Sequence, residues 1–166
     1  MTRSSLRVLL ASSLILPLFT ACSRGGERVL ELGSPTTWHT CPPPAEWPEP
    51  VSREVGNQGD TLRSGNNVLV IPPGALPGNS HRTFTLAPYR SDSVGVEVTM
   101  SAQGKLKELM TLEVDMRCDG GSTQWSIWRI RPGMQNPSQS QKLDTQPGQL
   151  RLTVQVDTTS GFMIAN

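Results

Sequence analysis

Met110-Thr111-Leu112-Glu113-Val114-Asp115-Met116 alternates apolar and polar side chains without a break. Val94-Gly95-Val96-Glu97-Val98-Thr99-Met100 follows the same rule, and so does Leu150-Arg151-Leu152-Thr153-Val154-Gln155-Val156-Asp157. In an extended chain successive side chains point to opposite faces, so each stretch has one apolar and one wet face. That is the pattern of a strand in an antiparallel sheet covered on one side.

Working outward, Phe84 and Leu86 alternate with Thr83 and Thr85, and Trp125, Ile127 and Arg129 share a face of another run. Val68-Leu69-Val70-Ile71 is a short apolar run that stops at Pro72-Pro73-Gly74. The polar stretch 132–146 reads as a surface loop, with room for one short strand at Gln141-Lys142-Leu143. Turn strings separate these runs: Asn57-Gln58-Gly59-Asp60, Gly65-Asn66-Asn67, Pro77-Gly78-Asn79, Asp119-Gly120-Gly121 and Arg131-Pro132-Gly133. Their spacing is close to the roughly 8–12 residues of a β-sandwich. The nearest approach to a helical period, residues 105–110, is short and fits a hairpin connection better. The expectation is an all-β fold, a two-sheet antiparallel β-sandwich over residues 51–166.

Composition agrees. The chain has 166 residues with 15 Gly and 14 Pro, rich in turn formers, yet 36% is hydrophobic. That is enough for one packed domain and below the Gly and Pro content of low-complexity chains. Fifteen basic residues face 14 acidic ones. So even a balance gives no electrostatic footprint for nucleic acid.

The N-terminus reads as an address. Arg3 and Arg7 precede an apolar run over residues 8–19, and Ala21-Cys22 follows. A basic start, a short apolar core and a small residue at the cleavage point describe a secretory signal. The run falls short of the roughly 20 residues a membrane-spanning helix needs, and Pro17 interrupts it. An uncleaved N-terminal anchor is the rival reading. Leu18-Phe19-Thr20-Ala21-Cys22 resembles the lipobox of bacterial lipoproteins, departing from it only at Phe19, where leucine is usual. The resemblance implies a signal peptide over residues 1–21 and acylation of Cys22, with plain secretion as the alternative. More than one acyl chain holds a domain stably to a membrane. Ser23, rather than Asp, after the cysteine points to the cell envelope's outer membrane where the source has one. The expected localisation is therefore the cell envelope, facing the periplasm or the cell surface.

With Cys22 acylated, Cys41 and Cys118 remain in an oxidising compartment. An even remainder suggests a disulfide. Free thiols, or a metal site using His39, Cys41, Cys118 and His81, are the rivals. The metal reading lacks the usual ligand spacing, since His39 and Cys41 are separated by one residue.

Residues 22–50 show no sustained period. Cys41-Pro42-Pro43-Pro44, Pro48 and Pro50 favour extended, polyproline-like backbone, so this segment reads as the lipid anchor and a Pro-rich stalk. Trp38 and Trp47 are unusual in a solvated linker, and one or both are expected to pack on the domain, pinned by Cys41.

Gly56-Asn57-Gln58-Gly59, then Asn67-Val68-Leu69-Val70-Ile71-Pro72-Pro73-Gly74-Ala75-Leu76, then the alternating Thr83-Phe84-Thr85-Leu86 resemble the start of the ZU-five domain. That module belongs to zonula occludens-type scaffolds, ankyrins and netrin receptors, and also occurs in bacterial surface proteins. The resemblance covers about 115 residues and implies a β-sandwich interaction domain, with no substrate. Some animal members cleave themselves at a His-Phe-Ser string. Here Thr158-Thr159-Ser160 stands in its place, without a base, so an intact chain is expected.

No other chemistry emerges. There is no phosphate-binding glycine pattern and no His-Glu-x-x-His helix. The two histidines, His39 and His81, sit in loop sequence, and Asp115 and Asp119 lack the clustering of a calcium loop. Arg117, Arg129, Arg131 and Arg151 read as ordinary sheet surface. The expectation is a non-catalytic protein with no cofactor and no metal, whose partners are a membrane, through the lipid on Cys22, and an envelope protein. Trp125 and Trp128 lie on opposite faces of a regular strand and mark the candidate interaction surface, one of them facing outward. The alternative is small-ligand or carbohydrate binding by surface tryptophans. A third reading, an enzyme, would require a cleft gathering His81 with serine and aspartate neighbours.

Overall fold

The computed structural model describes residues 27–102, 104, 106–118, 124–130, 140–148 and 150–166. The signal peptide expected over residues 1–21, Cys22 and the turn strings at 119–121 and 131–133 lie outside the described residues.

All regular elements among the described residues are strands: β1 (Val29–Gly33), β2 (Val51–Val55), β3 (Asp60–Ser64), β4 (Asn67–Ile71), β5 (Arg82–Pro88), β6 (Gly95–Met100), β7 (Met110–Asp115), β8 (Ser126–Ile130), β9 (Ser140–Leu143), β10 (Thr145–Pro147), β11 (Arg151–Val156) and β12 (Gly161–Ala165). They form two antiparallel sheets. One has seven strands in the order β1-β9-β8-β12-β6-β5-β2, the other five in the order β10-β11-β7-β4-β3.

Alternation puts the core between them. Leu69 on β4, Leu112 on β7 and Val154 on β11 are direct cross-strand neighbours and form one apolar row. In the larger sheet Val96 faces Phe162 and Ile127 faces Ile164. All seven of these side chains are buried. Burying a side chain of this size contributes about 1.5–3 kcal/mol, so these rows dominate the stability of the fold.

The Pro72-Pro73-Gly74 stop behaves as its chemistry dictates. Gly74 takes a positive φ of 80°, the Ala75 amide donates to Pro72 O at 3.2 Å, and Ala75 and Leu76 turn into the core. Gly59 also adopts positive φ, 72°, and a Cβ there would stand 2.7 Å from the Pro72 carbonyl carbon.

Two differences from the sequence reading belong to the strands themselves. Residues 29–33, read as stalk, form β1, which pairs with β9 across a bulge between Val29 and Glu31. Farther along the same segment, Trp38 bridges to Ala165 and Thr40 to Ser93. The His39 amide donates to Ile164 O at 2.8 Å and the Val94 amide to His39 O at 3.0 Å. Residues 36–41 thus run as an extended lace beside the end of β12. Their period is masked because proline and glycine neighbours interrupt it. Second, Leu150 keeps its backbone place, its carbonyl accepting from the Met116 amide at 3.0 Å. Its side chain is 60% exposed, one residue before β11 begins.

Candidate functional site: the disulfide end and the open edge

Cys41 and Cys118 form a disulfide with Cα atoms 5.8 Å apart. Cys41 is buried and Cys118 half-buried. A tight reversal after β7 makes the pairing geometry. Arg117 adopts φ 59°, unusual for a residue with a Cβ, and its amide donates to Asp115 Oδ1 at 3.3 Å. The Arg117 guanidinium then donates to Ser91 O at 3.0 Å and Asp92 O at 2.8 Å and lies 5.1 Å from the centre of the Trp47 ring. Trp38 and Trp47 are both half-buried against the domain, as expected for tryptophans near Cys41.

His39 stands beside the disulfide. It is buried, its Nε2 is 3.1 Å from Met116 O, 3.4 Å from Cys41 Sγ and 3.8 Å from Cys118 Sγ. The Trp125 ring packs on it with centroids 4.7 Å apart. The sequence reading treats His39 as a solvated loop residue. It is interior because backbone bonds on both sides draw residues 36–41 into the sheet. His81, by contrast, is exposed.

The tryptophan pair is corrected. Trp125 is half-buried and packs on the core, while Trp128 is only 1% exposed. Trp128 does lie off the core face, opposite Met163 and Lys142, with the Lys142 ammonium 5.8 Å from its ring centre. A strand flanked on both sides encloses even an outward side chain between its neighbours. Trp128 therefore offers no surface. Its indole N–H has no acceptor among the described residues.

Arg129 is likewise not surface. Its side chain is 16% exposed and pairs with Glu27, whose side chain is 3% exposed, and with Asp157 at 3.7 Å. Its Nε also donates to Gln141 Oε1 at 2.8 Å. Glu27 Oε2 accepts from the Asp157 amide at 3.2 Å. Burial pushes the Glu27 carboxyl up to about 7, against the opposing pull of Arg129. Ser160 is buried and donates its hydroxyl to Ile130 O.

The open surface lies elsewhere. Leu32 is 71% exposed, Leu30 60% and Val29 40%, all on the edge strand β1. Leu150 is the one other exposed large hydrophobic among the described residues. A cavity of about 190 Å³ opens beside this region, lined by Arg28, Leu109, Asp144, Gln146 and residues 153–155. Comparison with protein-family models and with curated proteins finds no match for the chain.

Proposed function

We propose that this protein is a lipid-anchored cell-envelope protein whose ZU-five-like β-sandwich mediates protein–protein or surface interaction without catalysis. The observation that carries the reading is the contrast among the four sheet edges. Strands at sheet edges are templates for pairing, and proteins normally guard them with charge or proline. β2 carries exposed Arg53 and Glu54, β3 begins at Asp60 and carries exposed Arg63, and β10 ends in Pro147. β1 instead exposes three aliphatic side chains around a single Glu31. An edge of that kind suits strand addition by a partner, with main-chain bonds supplying affinity and Leu30 and Leu32 supplying the apolar contact.

The lipid attachment at Cys22 supports the same reading. Seven residue steps separate Cys22 from Val29, a reach of at most about 25 Å, so an acylated chain presents β1 close to the membrane surface. The ligand-binding alternative loses its main support with the burial of Trp128.

The test is in-cell crosslinking of the full chain with a photoreactive residue at Leu32, in wild type and in a Leu30→Asp variant. A discrete crosslinked protein that disappears in the variant supports the reading. A crosslinking pattern indifferent to the substitution refutes it. Metabolic labelling with a fatty-acid analogue, lost in Cys22→Ser, tests the anchor separately.

A further inference from the structure

Four candidate metal-binding atoms meet at the disulfide end: Cys41 Sγ, Cys118 Sγ, His39 Nε2 and Met116 O. The side-chain ligand atoms all lie within 4.8 Å of one another. In a tetrahedral zinc site, with Zn–S near 2.3 Å and Zn–N near 2.05 Å, an N···S edge is about 3.6 Å and an S···S edge about 3.8 Å. The His39 Nε2 to sulfur distances, 3.4 Å and 3.8 Å, already bracket the first value. Only the two sulfurs, being bonded to each other, are too close. Met116 O, 3.1 Å from Nε2 and 3.0 Å from Cys41 Sγ, stands nearest the remaining corner.

We infer that reduction of the Cys41–Cys118 disulfide opens a Zn²⁺ site, with His39 Nε2 and the two cysteine sulfurs as ligands. The site is gated by redox state. The disulfide has no thiolate to offer, whereas the dithiol supplies two, and two thiolates with one imidazole form a set suited to zinc. The ring is held ready. Backbone bonds fix His39 on both sides, and Trp125 packs against it.

The reductant is a dithiol donor. One of its thiolates attacks Cys118 Sγ, the more exposed sulfur, and the S–S bond breaks with its electron pair leaving on Cys41. The donor's second thiolate then attacks the mixed disulfide and releases Cys118. The donor ends as a disulfide, and two electrons and two protons have passed to the protein. Zn²⁺ binding displaces those two thiol protons, and the imidazole proton, which Nε2 donates to Met116 O in the disulfide form, moves to Nδ1 so that neutral His39 ligates through Nε2. The double positive charge meets two thiolates, so the buried site is neutral overall.

The experiment uses the full chain in detergent with Cys22→Ser, which removes the other thiol. Protein is reduced with a phosphine, freed of it anaerobically, and titrated with Zn²⁺ against a chromophoric chelator, then separately with Co²⁺. The reduced form should bind one Zn²⁺ per chain and the oxidised form none, and Co²⁺ should give thiolate charge-transfer absorption. His39→Ala should weaken binding by at least about tenfold, while His81→Ala leaves it unchanged. His39→Cys restores a ligand and should bind Co²⁺ with a stronger thiolate band, which covers the case in which alanine at this buried position fails to fold. Absence of stoichiometric binding to the reduced protein overturns the inference. Equal affinity in wild type and in folded His39→Ala overturns it as well, and so does a His39→Cys protein whose Co²⁺ thiolate band is no stronger than that of wild type.

Discussion

Replacing Cys41 and Cys118 together with alanine removes a crosslink between residues 77 apart in sequence. Closing a loop of that size restricts the unfolded chain by about 4.5 kcal/mol in the chain-entropy treatment. Two corrections act in opposite directions. Residual structure in the unfolded chain lowers the figure, while loss of the buried Cys41 sulfur leaves a small cavity costing up to about 1 kcal/mol. The net expectation is a loss of about 3–5 kcal/mol, or roughly 8–15 °C in Tm for a domain of this size. Urea unfolding followed by far-ultraviolet circular dichroism should show a lower midpoint. The slope should rise somewhat, because the uncrosslinked chain exposes more surface when unfolded. A midpoint within about 0.5 kcal/mol of wild type would refute the reasoning. It would mean that residues 36–41 leave the sheet at little cost and that the crosslink constrains nothing the fold needs.

Arg129→Met strips Glu27 of its partner and should destabilise by about 3–5 kcal/mol, with most of that recovered in Arg129→Met/Glu27→Gln; a double-mutant cycle in urea checks it. Glu27 has a folded pKa raised to about 7 from 4.5, so its contribution to stability is full below pH 4.5 and is lost as pH climbs through 7. Glu27→Gln should flatten that decline in a series of melts. Tyr89 is the one tyrosine in the chain, so phenolate absorbance reports it alone. Burial, assisted by Glu97, pushes it up to about 12, and a midpoint near pH 10 in folded protein would contradict the packing around it. Its stabilising contribution is complete below pH 10 and disappears as pH rises through 12. Gly59→Ala must accept φ 72° and a clash with the Pro72 and Pro73 backbone, and should cost more than about 1 kcal/mol by thermal melt.

Strands whose buried face is built from strict alternation were legible: β6, β7 and β11 follow from Val94–Met100, Met110–Met116 and Leu150–Val156, with Leu150 alone failing to turn inward, because a period of two has one physical meaning. β1 was not, because its side chains are exposed on both faces and its residues Val29-Leu30-Glu31-Leu32-Gly33 carry a bulge. The disulfide was legible only by way of the lipobox-like string, because setting Cys22 aside is what leaves an even pair. The environment of His39 was not, since burial there comes from hydrogen bonds to Ile164 and Val94, more than fifty residues away in sequence. Trp128 shows the limit of face arguments: alternation says which side of a sheet a residue takes, and neighbouring strands decide whether that side is wet.

The position of β12 has a consequence for how the chain is made. Gly161–Ala165 comes latest in sequence among the strands yet lies in the interior of the larger sheet, between β8 and β6. A polypeptide emerging N-terminus first holds those two strands with the slot between them vacant until the final strand arrives. Its half-built sheet has unsatisfied edges on both sides of the gap and an uncovered layer of Val96 and Ile127. Such a chain stays pliable until β12 is added and becomes rigid in that one step. Truncation just before Gly161 should therefore abolish the larger sheet as a whole, whereas an extension after the exposed Asn166 leaves it intact.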